Sequence, residues 1–380
     1  MNRPSSAAYA REHTPYLPEP TGPYPVGTTS LWLTDTSRPD PWAPGVNERE
    51  LMISLWYPAT PSDGPRARYM TPAESELQLG SRGITGVPPG ALSTVRTNAA
   101  VDATPAGDQH ALPLVVLSPG FTNSRSALTA LAEDLASHGY VGAGIDHTYE
   151  SFATAFPDGR VTTCLAREER RRGEGFWEKA VAGRAADVSF MLNELTGAHP
   201  AWPGAALIDP SRIAMAGHSL GGAAAIATLL ADSRVRAGID MDGATHAPIP
   251  DHGLSRPFMF LGKQSNYTPG SGHAVTPGTR EWKLLRGSVT TWERDWKLLT
   301  GWKRWLLVAG AVHASFTDLG LLADHFGIDT GAGLRGARSL DITRAYVRAF
   351  FDQHLRGEPQ ALLDRPSPRY PEVTQAEIRA

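Results

Sequence analysis

The chain has 380 residues, 41% hydrophobic and 20% charged, ordinary proportions for a globular protein with a large core. A formal net charge of −3 offers no basic footprint for nucleic acid. The single cysteine, Cys164, excludes an internal disulfide and any multi-cysteine metal site, and with no base near it in sequence it reads as an inert thiol.

Length alone suggests two domains, but large α/β folds reach this size as one. The first 25 residues, "MNRPSSAAYAREHTPYLPEPTGPYP", carry six prolines and no apolar stretch of the signal-peptide kind. They predict an extended arm, on a protein that is cytoplasmic unless a leader was removed. No run approaches the roughly 18 apolar residues of a transmembrane helix. "TTSLWLTD" and "RELMISLWYP" read as two strands that pair antiparallel. Residues 62–111, rich in Pro, Gly, Ala and Thr, read as one long irregular segment, the kind of loop that is functional or disordered.

A regular pattern follows. "LPLVVLS" (112–118) is a continuous apolar run, as for a strand buried on both faces. "SRSALTALAEDLASHG" has helical spacing, with Asn123 or Ser124 to cap its start and Gly139 to end it. "YVGAGID" (140–146) is the next strand. "REERRR" (167–172) reads as a solvated face of mixed charge, the alternative being a partner or anionic-lipid contact. A helix is expected over 175–196, closed by Gly197. Then come strand 212–217, helix 219–231, and strands 235–241, 257–261 and 304–309. "SLDITRAYVRAFFDQHL" predicts a final amphipathic helix with Ala345, Val347, Phe350 and Phe351 facing the core. The organisation expected is an arm (1–25), one folded domain (26–358) with loop or cap-like segments at 62–111 and 262–303, and a tail (359–380).

Strands alternating with helices imply a mostly parallel, doubly wound sheet, whose chemistry gathers at the carboxyl ends of the strands. "RIAMAGHSLGGAAA" (212–225) puts Ser219 between such a strand and a helix, flanked by glycines at 217 and 221. That is the context of a strained turn presenting a nucleophilic hydroxyl over a helix N-terminus, whose dipole favours developing negative charge. A serine needs a base and a group that orients the base. On this kind of turn the acid and then the histidine follow in chain order. "AGIDMDG" offers Asp240 and Asp242. Two apart, they point the same way if the strand continues that far. Asp242, just before Gly243, sits where the strand breaks at the catalytic edge, and is the expected acid. Asp240, deeper, is left as a supporting group or loop anchor. His313 follows the apolar run "RWLLVAGAV" and opens a short polar loop, so it is the expected base. His218 lies within the turn and flanks the hydroxyl. Two backbone N–H groups should receive the oxyanion: Leu220, after the nucleophile, and Phe121, because Pro119 in "PGFTNSR" has none to give.

These stretches resemble the platelet-activating factor acetylhydrolases of the plasma and intracellular type II kind, within the α/β-hydrolase superfamily. The likeness runs through "GPYPVGTTSLWLTD", "LPLVVLSPGF", "EDLASHGYVGAGIDHTYES", "AGHSLGGAAA", "AGIDMDG" and "GAVHASFTDL". It implies an α/β-hydrolase fold, with the family's nucleophile on Ser219, acid on Asp242, base on His313 and oxyanion donors on Phe121 and Leu220. Pro119 departs from the histidine that the family usually carries there. The segment 262–305 also stands apart, with tryptophans at 282, 292, 296, 302 and 305 that either line an acyl pocket or pack a helix on the sheet. The function expected is hydrolysis of short-chain or phospholipid-type esters, with no metal or organic cofactor. The partner is a small ester or lipid, not nucleic acid. A thioesterase or acyltransferase, and a catalytically dead ligand-binding fold, are the rival readings.

Overall fold

The computed structural model describes residues 14–173, 175–271, 279 and 287–378. In chain order its elements are β1 (Val26–Asp35), β2 (Arg49–Pro58), β3 (Arg66–Arg68), α1 (Pro72–Ser81), β4 (Arg96–Val101), β5 (Leu112–Ser118), α2 (Thr129–Ser137) and β6 (Val141–His147). A small hairpin follows, β7 (Thr154–Ala155) and β8 (Val161–Thr162), then α3 (Ala166–Arg172), α4 (Phe176–Thr196), β9 (Ile208–His218), α5 (Leu220–Ala231), β10 (Val235–Met241) and β11 (Phe258–Lys263). The chain continues through α6 (Val289–Leu298), β12 (Lys303–Val308), α7 (Asp318–His325), α8 (Gly336–Leu355) and β13 (Val373–Gln375).

Among the described residues, eleven strands form one sheet in the order β13-β12-β11-β10-β9-β5-β6-β2-β1-β4-β3. The six from β12 to β6 run parallel, and β2 and β13 join antiparallel at either side. Because successive side chains in a strand face opposite ways, each central strand feeds two cores. Leu114, Val116, Ile213 and Met215 pack with α4 and α5 on one face. Val115, Leu117, Ala214 and Ala216 pack with α2 and α8 on the other. This is the mostly parallel sheet flanked by helices on both faces that the sequence predicts. Val347, Phe350 and Phe351 of α8 are fully buried, and each such side chain contributes roughly 1.5–3 kcal/mol of transfer free energy.

Three expectations need correction. Residues 62–111 are not one irregular segment. They supply β3, α1 and β4, which complete the sheet edge beyond β1. A capping box starts α1: Thr71 Oγ1 accepts the Glu74 N–H (3.2 Å), and the Glu74 carboxylate accepts the Thr71 N–H (2.8 Å). The segment 359–380 is not merely a tail, since Val373, Thr374 and Gln375 pair with Val308, Leu307 and Leu306. The helix after β5 is entered through a 3₁₀ turn at 125–128, where Ser124 makes no side-chain cap. The described part of the N-terminal arm is strapped down: Leu17 is buried, and Arg344 donates to the carbonyls of Pro18 and Glu19.

Sheet register positions the site. Ser118 of β5 and Asp240 of β10 both stand beside Gly217 of β9, and Met241 stands beside His218. Across β11, Met241 is level with Leu261, and Lys263 is level with Val308 of β12. The turns after β5, β9, β10 and β12 therefore emerge side by side at the carboxyl edge.

Candidate active site

Ser219 bridges β9 and α5 with φ 56° and ψ −121°, in the region of positive φ that L-residues rarely adopt. Such strain costs about 1–3 kcal/mol and persists only where its surroundings impose it. The flanking glycines are part of that imposition. A Cβ on Gly217 would lie 2.1 Å from the Gly221 carbonyl carbon, and one on Gly221 would lie 2.0 Å from the Ser118 carbonyl oxygen. The turn is pinned by the Ser219 N–H donating to the Met241 carbonyl (2.8 Å).

The two aspartates do not point the same way. Asp242 has φ 60°, so the chain leaves the strand there and the alternation ends at Met241. Asp242 Oδ2 accepts from His313 Nδ1 at 2.5 Å, Oδ1 accepts the Lys263 N–H at 2.8 Å, and Lys263 Nζ stands 3.5 Å from Oδ2. Burial by itself would raise the Asp242 pKa. The hydrogen bond and charge of His313, with the Lys263 ammonium, outweigh it and hold the carboxyl below its ordinary value. Asp240 turns inward instead. It accepts the Gly243 N–H (2.8 Å), and its other oxygen has no hydrogen-bond partner among the described residues. Burial pushes its pKa well above the ordinary carboxyl value, and its bond to the Gly243 N–H anchors the loop.

His313 opens a 3₁₀ turn after β12, and its side chain is 49% exposed. With Nδ1–H given to Asp242, Nε2 is left free to accept a proton. His218 lies alongside, its ring centroid 4.5 Å from that of His313 and its Nε2 donating to the His313 carbonyl (2.8 Å). Burial, then the neighbouring imidazole of His313, lowers the His218 pKa to about 3, so it stays neutral.

The turn after β5 approaches from the other side. Its Gly120 packs so tightly that a Cβ there would stand 3.1 Å from Ser219 Cβ and 3.1 Å from Asn123 Nδ2. The Gly120 carbonyl accepts the Asn123 N–H (3.1 Å), which turns the Phe121 N–H of the same peptide the opposite way. Among the described residues, neither the Phe121 nor the Leu220 N–H has an acceptor. A cavity of about 220 Å³ opens between Asn123 and Ala314, the residue after His313, walled by Met70, Leu79, Leu92, Leu322, Phe326 and Ile328.

A second string of the same residue types lies beneath. Ser118 Oγ is 2.9 Å from His147 Nε2, and His147 Nδ1 is 2.8 Å from Asp187 Oδ2, all three fully buried. Arg184 donates to Ser118 Oγ (3.2 Å), to Glu150 (2.8 Å) and to the Pro119 carbonyl, and Arg49 pairs with Asp187 and Asp40. This network is a scaffold under the Phe121 turn. Sequence reasoning missed Arg184, Glu150 and Lys263. Lys263 was within reach, since it ends β11 at the edge where the chemistry gathers. Cys164 behaves as expected: half-buried, it donates to the Glu150 carbonyl, and burial pushes its pKa up to about 11.

The tryptophans at 292, 296 and 305 pack among Phe260 and Tyr267, and Trp302 packs on Phe350, as the packing reading expects. Trp292 Nε1 also donates to the Gly243 carbonyl (2.6 Å), steadying the loop after Asp242. Trp282 lies outside the described residues. No described helix is long and apolar enough to cross a membrane.

The solved structure of a ferulic acid esterase from Streptomyces cinnamoneus superimposes with a TM-score of 0.82. It shares 41% identity and covers 96% of this chain and 100% of its own. A probable 1-alkyl-2-acetylglycerophosphocholine esterase of Arthroderma benhamiae is 28% identical over 94% of this chain and 92% of its own length. A platelet-activating factor acetylhydrolase of Cavia porcellus is also 28% identical, over 60% of this chain and 55% of its own length. Fold and relatives together define a carboxylic ester hydrolase built on the α/β-hydrolase fold. The sequence model of one family matches residues 9–162 and 205–336, most of the chain. The protein belongs to that family, platelet-activating factor acetylhydrolase, isoform II.

Proposed function

We propose that this esterase acts through Ser219, His313 and Asp242 by way of an acyl-enzyme, on esters with a short or otherwise compact acyl group, phospholipid-type esters among them. The observation that carries the reading is Ser219 held at φ 56° beside an Asp242–His313 hydrogen bond of 2.5 Å. Ser219 Oγ attacks the ester carbonyl carbon while His313 Nε2 takes its proton. Asp242 fixes the imidazole tautomer and stabilises the imidazolium. The Phe121 and Leu220 N–H groups receive the oxyanion, each such donor contributing about 3–4 kcal/mol to the transition state. The imidazolium then protonates the leaving alcohol, and water repeats the sequence on the acyl-enzyme to release the acid.

The size of the acyl group is argued from space. The cavity of about 220 Å³ beside Asn123 and Ala314 is of a size that suits a short chain or one ring. Relatives named as a ferulic acid esterase and as acetyl-ester hydrolases support a compact acyl group. The test is hydrolysis of a p-nitrophenyl ester series from acetate to palmitate by wild type and Ser219→Ala, with fluorophosphonate labelling of both. Short-chain turnover and labelling, both lost in the variant, are expected. Equal turnover in Ser219→Ala refutes the nucleophile. Labelling at Ser219 with no ester turnover moves the reading to acyl transfer or thioester hydrolysis. No labelling of the folded wild type moves it to a ligand-binding fold.

A further inference from the structure

The charge run "REERRR" is not simply a solvated face. It forms α3, and its two glutamates are already occupied: Glu168 pairs with Arg171 (2.5 Å) and Glu169 with Lys179 (2.7 Å). Arg167 and Arg170, three apart and so on one helix face, have no ion pair among the described residues. Both lean on rings beside the site. The Arg167 guanidinium carbon is 5.6 Å from the Phe152 ring, and that of Arg170 is 5.6 Å from the Phe121 ring and 5.1 Å from the Trp177 ring. Arg82 stands 5.2 Å from the same Phe152 ring and donates to Asn123 Oδ1. It too has no ion pair among the described residues.

These rings belong to the oxyanion turn and its wall. Phe121 carries one of the two N–H groups proposed for the oxyanion. The Phe152 N–H donates to the Thr122 carbonyl (3.1 Å). Three exposed arginines thus gather on the rings of Phe121, Trp177 and Phe152, and stacking on aromatic faces holds their guanidiniums in place without neutralising them. The carboxylate within the turn's support, Glu150, is buried and taken by Arg184, and Glu178 of α4 acts on His246. Arg167 and Arg170 also lie in 163–204, the stretch between the two segments that match the family.

We propose that Arg82, Arg167 and Arg170 form an anion-binding rim, and that the preferred substrate is an ester bearing an anionic oxygen group, carboxylate or phosphate, near the scissile bond. This rests on the Ser219 reading above. The experiment compares kcat/KM on two matched pairs: 4-acetoxybenzoate against its methyl ester, and dibutyryl phosphatidate against dibutyrylglycerol. The first pair reports carboxylate and the second phosphate. In wild type at low salt the anionic member of at least one pair should be favoured roughly 10-fold, as exposed charge pairs acting together allow, and high salt should shrink the ratio. Arg167→Gln/Arg170→Gln and Arg82→Gln should each pull the ratio toward one. Arg171→Gln, on the same helix but paired with Glu168, should leave it standing. A ratio near one for both pairs in wild type, or a preference that survives all three substitutions, overturns the rim while leaving the esterase intact. Neutral-ester turnover that persists in Ser219→Ala, or none in wild type, overturns the Ser219 reading and the rim with it.

Discussion

Replacing each aspartate of "DMD" by asparagine separates two carboxyl groups that the sequence sets only two residues apart. Asp242 is hydrogen-bonded to His313 at 2.5 Å and keeps its negative charge. Opposite charges centred about 4 Å apart, at an effective dielectric near 20, attract by about 4 kcal/mol, a rate factor of roughly 10³ once the imidazolium forms. Asparagine also favours the wrong imidazole tautomer, which takes the expected loss in kcat toward 10⁴. Burial raises the Asp240 pKa and so favours its neutral form, and Asp240→Asn puts a neutral group of the same shape in its place. Its kcat should stay within about threefold of wild type. Stability should separate the two as well. A buried carboxyl whose pKa is raised costs nothing below the unfolded value near 3.9, and costs progressively more as pH climbs above it. Asp240→Asn should therefore unfold at or above the wild-type temperature at neutral pH, the advantage vanishing toward acid. Steady-state kinetics on p-nitrophenyl acetate and melting curves across pH read both effects. If Asp240→Asn loses orders of magnitude while Asp242→Asn does not, the assignment of the acid is wrong, and so is the electrostatic reasoning behind it.

Arg184→Met should destabilise by about 3–5 kcal/mol in denaturant titration, because it leaves Glu150 buried without its cation. Arg184→Lys keeps the charge but not the fork that holds the Pro119 carbonyl, so kcat should fall more than KM rises. Gly222→Ala places a Cβ 2.0 Å from Asp240 Oδ1 and should cost about 1–3 kcal/mol, with part of that recovered in the double variant with Asp240→Ala. Trp292→Phe removes the donor to the Gly243 carbonyl and should cost about 1–3 kcal/mol by chemical unfolding. His218, held neutral with a pKa of about 3, takes up a proton on unfolding. Stability should therefore fall as pH drops from about 6.5 toward 3, by up to about 1.4 kcal/mol per unit for this one group, and His218→Gln should flatten that slope.

The central sheet was legible because parallel strands buried on both faces leave unbroken apolar runs such as "LPLVVLS", and a strained serine turn leaves its glycines. The sheet's edges were not. β3 is "RAR", β4 is "RTNAAV" and β13 begins at Val373 as "VTQ", short strands that exist because β4, β1 and β12 in turn offer them ladder partners. α1 left a signal, the Thr-x-x-Glu of its capping box, hidden in a stretch whose Pro and Gly content suggested a loop. Asp242 is distinguishable from Asp240 in the sequence because Gly243 marks where the strand breaks. The positive φ at Asp242 supplies the physical reason, and it also ends the alternation that would have aimed both carboxyls together. Arg184 was illegible for a different cause. In the middle of α4 it looks like any arginine on an amphipathic helix, and only tertiary packing buries it against Glu150 and the Pro119 carbonyl.

Two serine hydroxyls in this molecule each have an imidazole or its neighbourhood at hand, and they differ in vacancy. Around Ser118 the circuit is closed: His147 and Arg184 fill its valences, Asp187 and Arg49 fill theirs, and water is shut out. A proton moved there would have no incoming carbonyl to serve. Ser219 sits beside N–H groups that have no acceptor among the described residues, and near a half-exposed imidazole. The deeper string carries the same three residue types, hydrogen-bonded at 2.9 and 2.8 Å along its length. Unmet demand for a bonding partner, more than the identity of the three side chains, distinguishes a tool from a truss.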